Sequence, residues 1–117
     1  MDALLFLPEH EQHEISLLFY NFMLRDKGFS TVYLGQSVPY DALSSCIEQL
    51  APRTMVTSWL TAVDDNFMHS YFKRLTIEFG KIPVLAGGVQ VNNRKDLIKD
   101  FIHEISDLPN QVEALIS

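Results

Sequence analysis

Apolar positions along the chain follow two patterns that take turns. Ala3-Leu4-Leu5-Phe6-Leu7 is an unbroken apolar run ended by Pro8, which predicts a strand buried on both faces. Glu14 to Lys27 carries Ile15, Leu18, Phe19, Phe22 and Met23 at helical spacing, and Gly28 follows as a stop. Leu17, Tyr20 and Leu24 make this helix apolar on more than one side, which favours a thick core face over a second contact surface. Phe29 to Leu34 is β-rich and closes with Gly35, predicting a second strand. A loop, Gln36 to Val38, then leads to Pro39 in the first turn of a helix reaching about Leu50. Met55 to Ser58 predicts a third strand after the break at Pro52, and Asp64 or Asp65 caps a helix running to about Phe79, where Gly80 ends it. Ile82 to Ala86 predicts a fourth strand, followed at once by Gly87-Gly88. Asn92 or Asn93 caps a short helix over Arg94 to Lys99. Phe101 to Ile105 predicts a fifth strand, and Leu108 to Ile116 a closing helix.

Strands alternating with helices through short loops argue for a parallel sheet covered on both faces. Five such units imply an α/β, flavodoxin-like (Rossmann-like) three-layer sandwich with a five-stranded sheet in the order 2-1-3-4-5. Ligands of such sheets bind beyond the carboxyl ends of the strands, near the switch point. Three loops therefore converge: the one with Glu11 and His13, the one with Ser58 and Leu60, and the one with Gly87 and Gly88.

The chain of 117 residues is one domain by size, and its formal charge is -6. Its nine lysines and arginines are scattered rather than gathered, which disfavours direct nucleic-acid binding. The single cysteine, Cys46, falls in a helical apolar pattern and reads as a small buried residue suited to a reducing cytoplasm. No apolar run approaches a membrane span and no basic segment precedes the first strand, so neither a transmembrane helix nor a signal peptide is expected.

The loop after the first strand, Pro8 to Glu14, has no glycine and is crowded with carboxylates and imidazoles, which disfavours a flavin phosphate or a dinucleotide there. A phospho-receiver domain would need an Asp at the end of the third strand, where this chain has Ser58-Trp59. A zinc site built from His10 and His13 would lack a Cys partner. What the loop does offer is Glu11 two residues before His13. A carboxylate so placed can fix one ring nitrogen and raise the basicity of the other toward a metal.

Glu11-x-His13-x-x-Ser16, Ser58-x-Leu60 and Gly87-Gly88 follow one another in the order of the three motifs of the cobalamin-binding flavodoxin-like domain, Asp-x-His-x-x-Gly, Ser-x-Leu and Gly-Gly. The chain resembles that family over nearly its whole length. The resemblance implies that cobalamin is the cofactor and that His13 replaces its benzimidazole as lower axial ligand to cobalt, with Glu11 as hydrogen-bond partner. It implies further that the detached nucleotide tail runs down a slot beside the third strand. There Ser58 would donate to the benzimidazole, Leu60 would form apolar wall, and Gly87 and Gly88 would let the backbone approach the tail. Trp59 would face the corrin or cap the sheet edge, the cap being favoured. Glu11 stands where the family has Asp, and Ser16 where it has Gly.

The Leu-Pro-Glu-x-Glu-x-His-Glu stretch is most similar to the sensory domain of MerR-type transcriptional regulators, whose DNA-binding and helical-bundle domains lie upstream of it. The resemblance thus implies a non-enzymatic, ligand-sensing fragment, residues 1–117, of a longer regulator that assembles as a homo-oligomer. Two alternatives stand beside it. One is a protein-interaction domain that kept the fold and lost the cofactor. The other is a corrinoid carrier module of a methyltransferase or mutase, whose usual Gly-Asp-x-His-Asp signature is missing here.

Overall fold

The computed structural model describes all residues, Met1–Ser117. Eleven elements follow in the order β1 (Ala3–Pro8), α1 (Ile15–Asp26), β2 (Thr31–Val38), α2 (Tyr40–Leu50), β3 (Thr54–Ser58), α3 (Asp65–Phe79), β4 (Val84–Gly87), α4 (Val89–Asn92), α5 (Lys95–Ile98), β5 (His103–Glu104) and α6 (Leu108–Ile116). All strand pairs are parallel, and the sheet order is β2-β1-β3-β4-β5. The flavodoxin-like sandwich expected from the alternating pattern is therefore the fold observed.

β1 lies between β2 and β3, buried along its whole length, and its side chains alternate between two cores. Leu4 and Phe6 join Met55, Trp59, Met68 and Phe72 on the side of α2 and α3. Ala3, Leu5 and Leu7 join Val56, Leu85, Leu17 and Leu24 on the side of α1 and α6. That double burial is why the run carries no polar residue.

Several boundaries differ from the sequence expectation. β2 does not end at Gly35: its pairing with β1 shifts register past Leu5 and again past Phe6, and the bulged strand continues to Val38. Pro39 is not inside α2 but precedes it as an extended N-cap. The segment after Gly88 forms two single-turn helices, α4 and α5, where one was expected. Cys46 is only half-buried.

The largest correction concerns α1. Ile15, Leu18, Phe19 and Phe22 are exposed, Ile15 by 84% and Phe22 by 64%, while Leu17 and Leu24 carry the core contact. The helix has two apolar sides, and the sheet takes the one that α6 also packs against. Its end is set by Gly28, at φ +92, in a Schellman arrangement: the Phe29 N–H donates to the Leu24 carbonyl and the Gly28 N–H to that of Arg25, both at 3.0 Å.

Candidate functional site

The carboxyl ends of β1, β3 and β4 form one mouth, and Glu11 ties two of its loops together. A turn closed by the Glu11 N–H on the Pro8 carbonyl, with His10 at φ 73, reverses the chain as it leaves β1. The Glu11 carboxylate then drops beneath the loop that follows β3. Oε1 accepts from the Leu60 N–H at 2.5 Å and the Thr61 N–H at 2.7 Å. Oε2 accepts from the Thr61 hydroxyl and from His13 Nδ1, both at 2.9 Å. The side chain of Glu11 is 4% exposed. Burial alone would raise its carboxyl, but the Thr61 N–H, His13, the Leu60 N–H and the Thr61 hydroxyl outweigh that and hold it at about 2.

An ionised carboxylate has no proton to give, so Nδ1 of His13 must be the donor in this pair. In the neutral ring, the tautomer that results leaves Nε2 with its lone pair free. The His13 side chain is 67% exposed, so this nitrogen faces solvent at the mouth. A basic ring nitrogen, oriented from behind by a carboxylate, is the arrangement of a metal-ligating histidine. His10, by contrast, is exposed and uses its backbone N–H on the Ser37 hydroxyl at 3.1 Å. The chain contains no group of three or more His, Cys, Asp or Glu side chains able to hold a metal ion between them.

Of the other sequence-predicted positions, Ser58 and Gly87 are brought side by side as register partners in β3 and β4. Two residues beyond Val56 and Leu85, they share the α1 and α6 face of the sheet. The Ser58 hydroxyl is fully buried and has no hydrogen-bond partner. An orphaned donor of that kind costs roughly 1–3 kcal/mol and fits an acceptor atom of a bound group. The space above Gly87 is already used, however. A Cβ there would lie 2.7 Å from the Tyr20 hydroxyl and 3.4 Å from Cδ1 of Ile105. The cavities of about 200 to 650 Å³ lined by other residues of the chain do not include Ser58 or Gly87 in their walls. The donor set thus fits a corrinoid tail, whereas the slot volume does not.

Gly88 serves the chain itself. At φ +97 and ψ 162 it occupies backbone space open to glycine, and a Cβ would sit 2.4 Å from the Trp59 carbonyl oxygen. That approach lets the Gly87 carbonyl accept from the Trp59 N–H at 2.9 Å and the Trp59 carbonyl accept from the Gln90 N–H at 3.1 Å. Trp59 itself is not a cap on the sheet edge: it is 1% exposed, packed against Phe72, Tyr71 and Phe67, and forms part of the wall of a cavity beside Glu11. Leu60 contributes its N–H to Glu11 and its carbonyl to Gln90 Nε2 at 3.2 Å, besides a partly covered side chain. Ser16 is half-buried in the first turn of α1, one turn before Tyr20 on the same side of the helix.

Two functional residues lay outside the motifs. Thr61 supplies two of the donors to Glu11, and its place directly after Ser58-Trp59-Leu60 was the only available signal. Arg94 braces the same loop from below, with Nη2 on the Val63 carbonyl at 2.7 Å, Nη1 on Gln90 Oε1 at 2.7 Å and Nε on Asp65 at 2.6 Å. Beside the Glu11 pair a cavity of about 330 Å³ opens between Pro8, His10, Trp59, Thr61 and Phe67.

No family model matches the chain, and no curated protein sequence matches it. Solved structures do. A cobalamin-binding protein from Desulfitobacterium hafniense is 21% identical with a TM-score of 0.76, over 96% of this chain and 56% of its own. The methanol:cobalamin methyltransferase complex from Methanosarcina barkeri is 24% identical with a TM-score of 0.81, over 97% of this chain and 45% of the other. A receiver domain from Aquifex aeolicus matches over 99% of this chain and 91% of its own at 17% identity, with a lower TM-score of 0.59. At these identities the likeness is one of fold. The chain spans about half the length of the two cobalamin proteins.

Proposed function

We propose that the chain is a corrinoid-binding sensory module in which His13 Nε2 is the lower axial ligand to cobalt. The observation that carries this reading is the buried, ionised Glu11, which fixes the proton of His13 on Nδ1 and leaves the opposite nitrogen exposed at the mouth of the sheet. The higher TM-scores to cobalamin proteins than to a receiver domain support it, as does the orphaned Ser58 hydroxyl. When bound, the corrinoid would supply a cobalt centre whose upper ligand is exchangeable. The chain's own part is to hold and orient: His13 from below, Glu11 behind it, Thr61 and Leu60 fixing Glu11, and Ser58 toward the tail. In this reading the module acts by binding rather than by catalysis. The finer reading is a MerR-type transcriptional regulator in which corrinoid binding biases the oligomeric state of the full-length protein, with DNA contacted by other domains.

A second reading has its own observation. The exposed Ile15, Leu18, Phe19 and Phe22 on α1, with the closed tail slot, favour a cofactor-free interaction domain. A carrier module of a methyltransferase is the third, since one neighbour is a methyltransferase complex.

The test is a visible-absorption titration of the purified chain with aquocobinamide and with hydroxocobalamin, repeated on His13→Ala. Corrinoid retained through gel filtration, with a nitrogen-ligated spectrum lost in His13→Ala, is the expected result. Retention of neither corrinoid by the wild-type chain would overturn the reading in favour of the cofactor-free domain.

A further inference from the structure

Tyr20 stands over Gly87 and beside Ser58, the two positions that the resemblance to the cobalamin-binding domain assigns to the nucleotide tail. It projects from the middle of α1, between Leu17 and Leu24, onto the sheet face that carries Ser58 and Gly87. Its hydroxyl is the nearest atom to the missing Cβ of Gly87, and Ile105, just after β5, closes the same spot from the other side. Burial raises the phenol's pKa, as expected for a hydroxyl held against a dry sheet. The ring therefore takes the volume that glycine leaves, while the Ser58 hydroxyl beside it remains without a partner. Ser16, one turn earlier on the same side, adds a side chain at the entrance where the related motif has none.

We propose that Tyr20 is a plug in the tail slot and makes this chain selective for corrinoids that lack the nucleotide tail. This rests on the corrinoid reading of the Glu11–His13 pair. An incomplete corrinoid such as cobinamide has no lower base of its own, so the exposed His13 nitrogen meets a free coordination position and nothing need enter the slot. Cobalamin must first release its own benzimidazole from cobalt. The freed tail then either expels a partly buried aromatic ring, with only the Ser58 hydroxyl to gain in return, or stays in water and leaves that hydroxyl without a partner.

The experiment compares equilibrium binding of aquocobinamide and aquocobalamin to the wild-type chain, Tyr20→Phe and Tyr20→Ala, with circular dichroism to verify that each variant is folded. Wild type should bind cobinamide about tenfold or more tightly than cobalamin, a difference of about 1.4 kcal/mol. Tyr20→Phe, which keeps the ring, should retain that preference. Tyr20→Ala should abolish it by tightening cobalamin alone, with cobinamide unchanged within about twofold. Cobalamin bound by wild type as tightly as cobinamide, or a Tyr20→Ala variant that weakens both alike, would overturn the plug and leave the corrinoid reading standing. Failure of every variant to bind either would overturn both. A corrinoid-free measurement guards the geometry. Gly87→Ala should lower the urea midpoint in wild type and do so less in the Tyr20→Phe background, because the group it collides with is the hydroxyl. Equal losses in the two backgrounds would place Tyr20 elsewhere and sink the proposal.

Discussion

Replacing Glu11 by Gln keeps the size of the side chain and removes its charge, and the cost of that change should depend on pH in a way that identifies its cause. The carboxyl is held at about 2, against an ordinary value of 4.5, by four donors acting against its own burial. A folded-state pKa below the unfolded one means that the ionised form contributes stability. That contribution is complete above about 4.5 and disappears as the pH falls toward 2. At about 1.4 kcal/mol per pKa unit it amounts to about 3 kcal/mol at pH 7, about 1 at pH 3 and almost nothing at pH 2. The amide of Gln retains one acceptor oxygen for the Leu60 and Thr61 N–H groups, so about 2 kcal/mol is expected at neutral pH. Urea unfolding of both proteins at pH 7 and at pH 3 should thus show a difference that shrinks by more than half. An equal difference at the two pH values would refute the argument, because the loss would then reflect packing and not an ionised carboxylate.

Four further substitutions separate roles that look alike in the sequence. Gly88→Ala places a Cβ against the Trp59 carbonyl at positive φ and should cost about 3 kcal/mol or more in urea unfolding; a loss below about 1 would contradict the close approach. Phe22→Ser on the exposed side of α1 should shift stability by no more than about 0.5 kcal/mol, whereas Leu24→Ala on the buried side should cost about 2 to 4. Reversal of that order would mean that the helix packs by its other side. Ser58→Ala removes a buried hydroxyl that has no partner, so the corrinoid-free chain should be as stable as wild type or up to about 1 kcal/mol more stable. A clear loss would reveal a partner for Ser58.

The sheet and its order were legible because β1 and β4 are buried on both faces and so announce themselves as short apolar runs, while β3, with Met55 and Val56 among Thr and Ser, stands out as a short β-forming segment between turn signals. The facing of α1 was not legible. Ile15, Leu18, Phe19 and Phe22 form an apolar row as regular as that of Leu17, Tyr20 and Leu24. Which row meets the sheet is decided by α6, far along the chain. The pairing of Glu11 with His13 could be read from their separation of two residues, but the other three donors to Glu11 come from a loop 49 and 50 residues away. Local spacing carries no trace of such contacts. Gly88 has a requirement of its own that spacing does not reveal: its glycine is needed by the backbone of Trp59, whatever the site binds.

The position of β1 also bears on how the chain must be made. As an interior strand it is synthesised before either of the strands it pairs with, and its second neighbour, β3, is not complete until Ser58, some fifty residues later. At roughly 5–20 residues per second, that leaves an uncharged Ala-Leu-Leu-Phe-Leu segment without its final partners for roughly 3 to 10 seconds of translation. Such a run, wholly apolar and free of charge, is the kind of segment that associates between chains. Polysome crowding or slowed decoding between β2 and β3 should therefore reduce the yield of soluble protein without altering the stability of the molecules that do fold. Soluble yield from otherwise identical messages with slow or fast codons over residues 39–53 would measure that kinetic vulnerability directly.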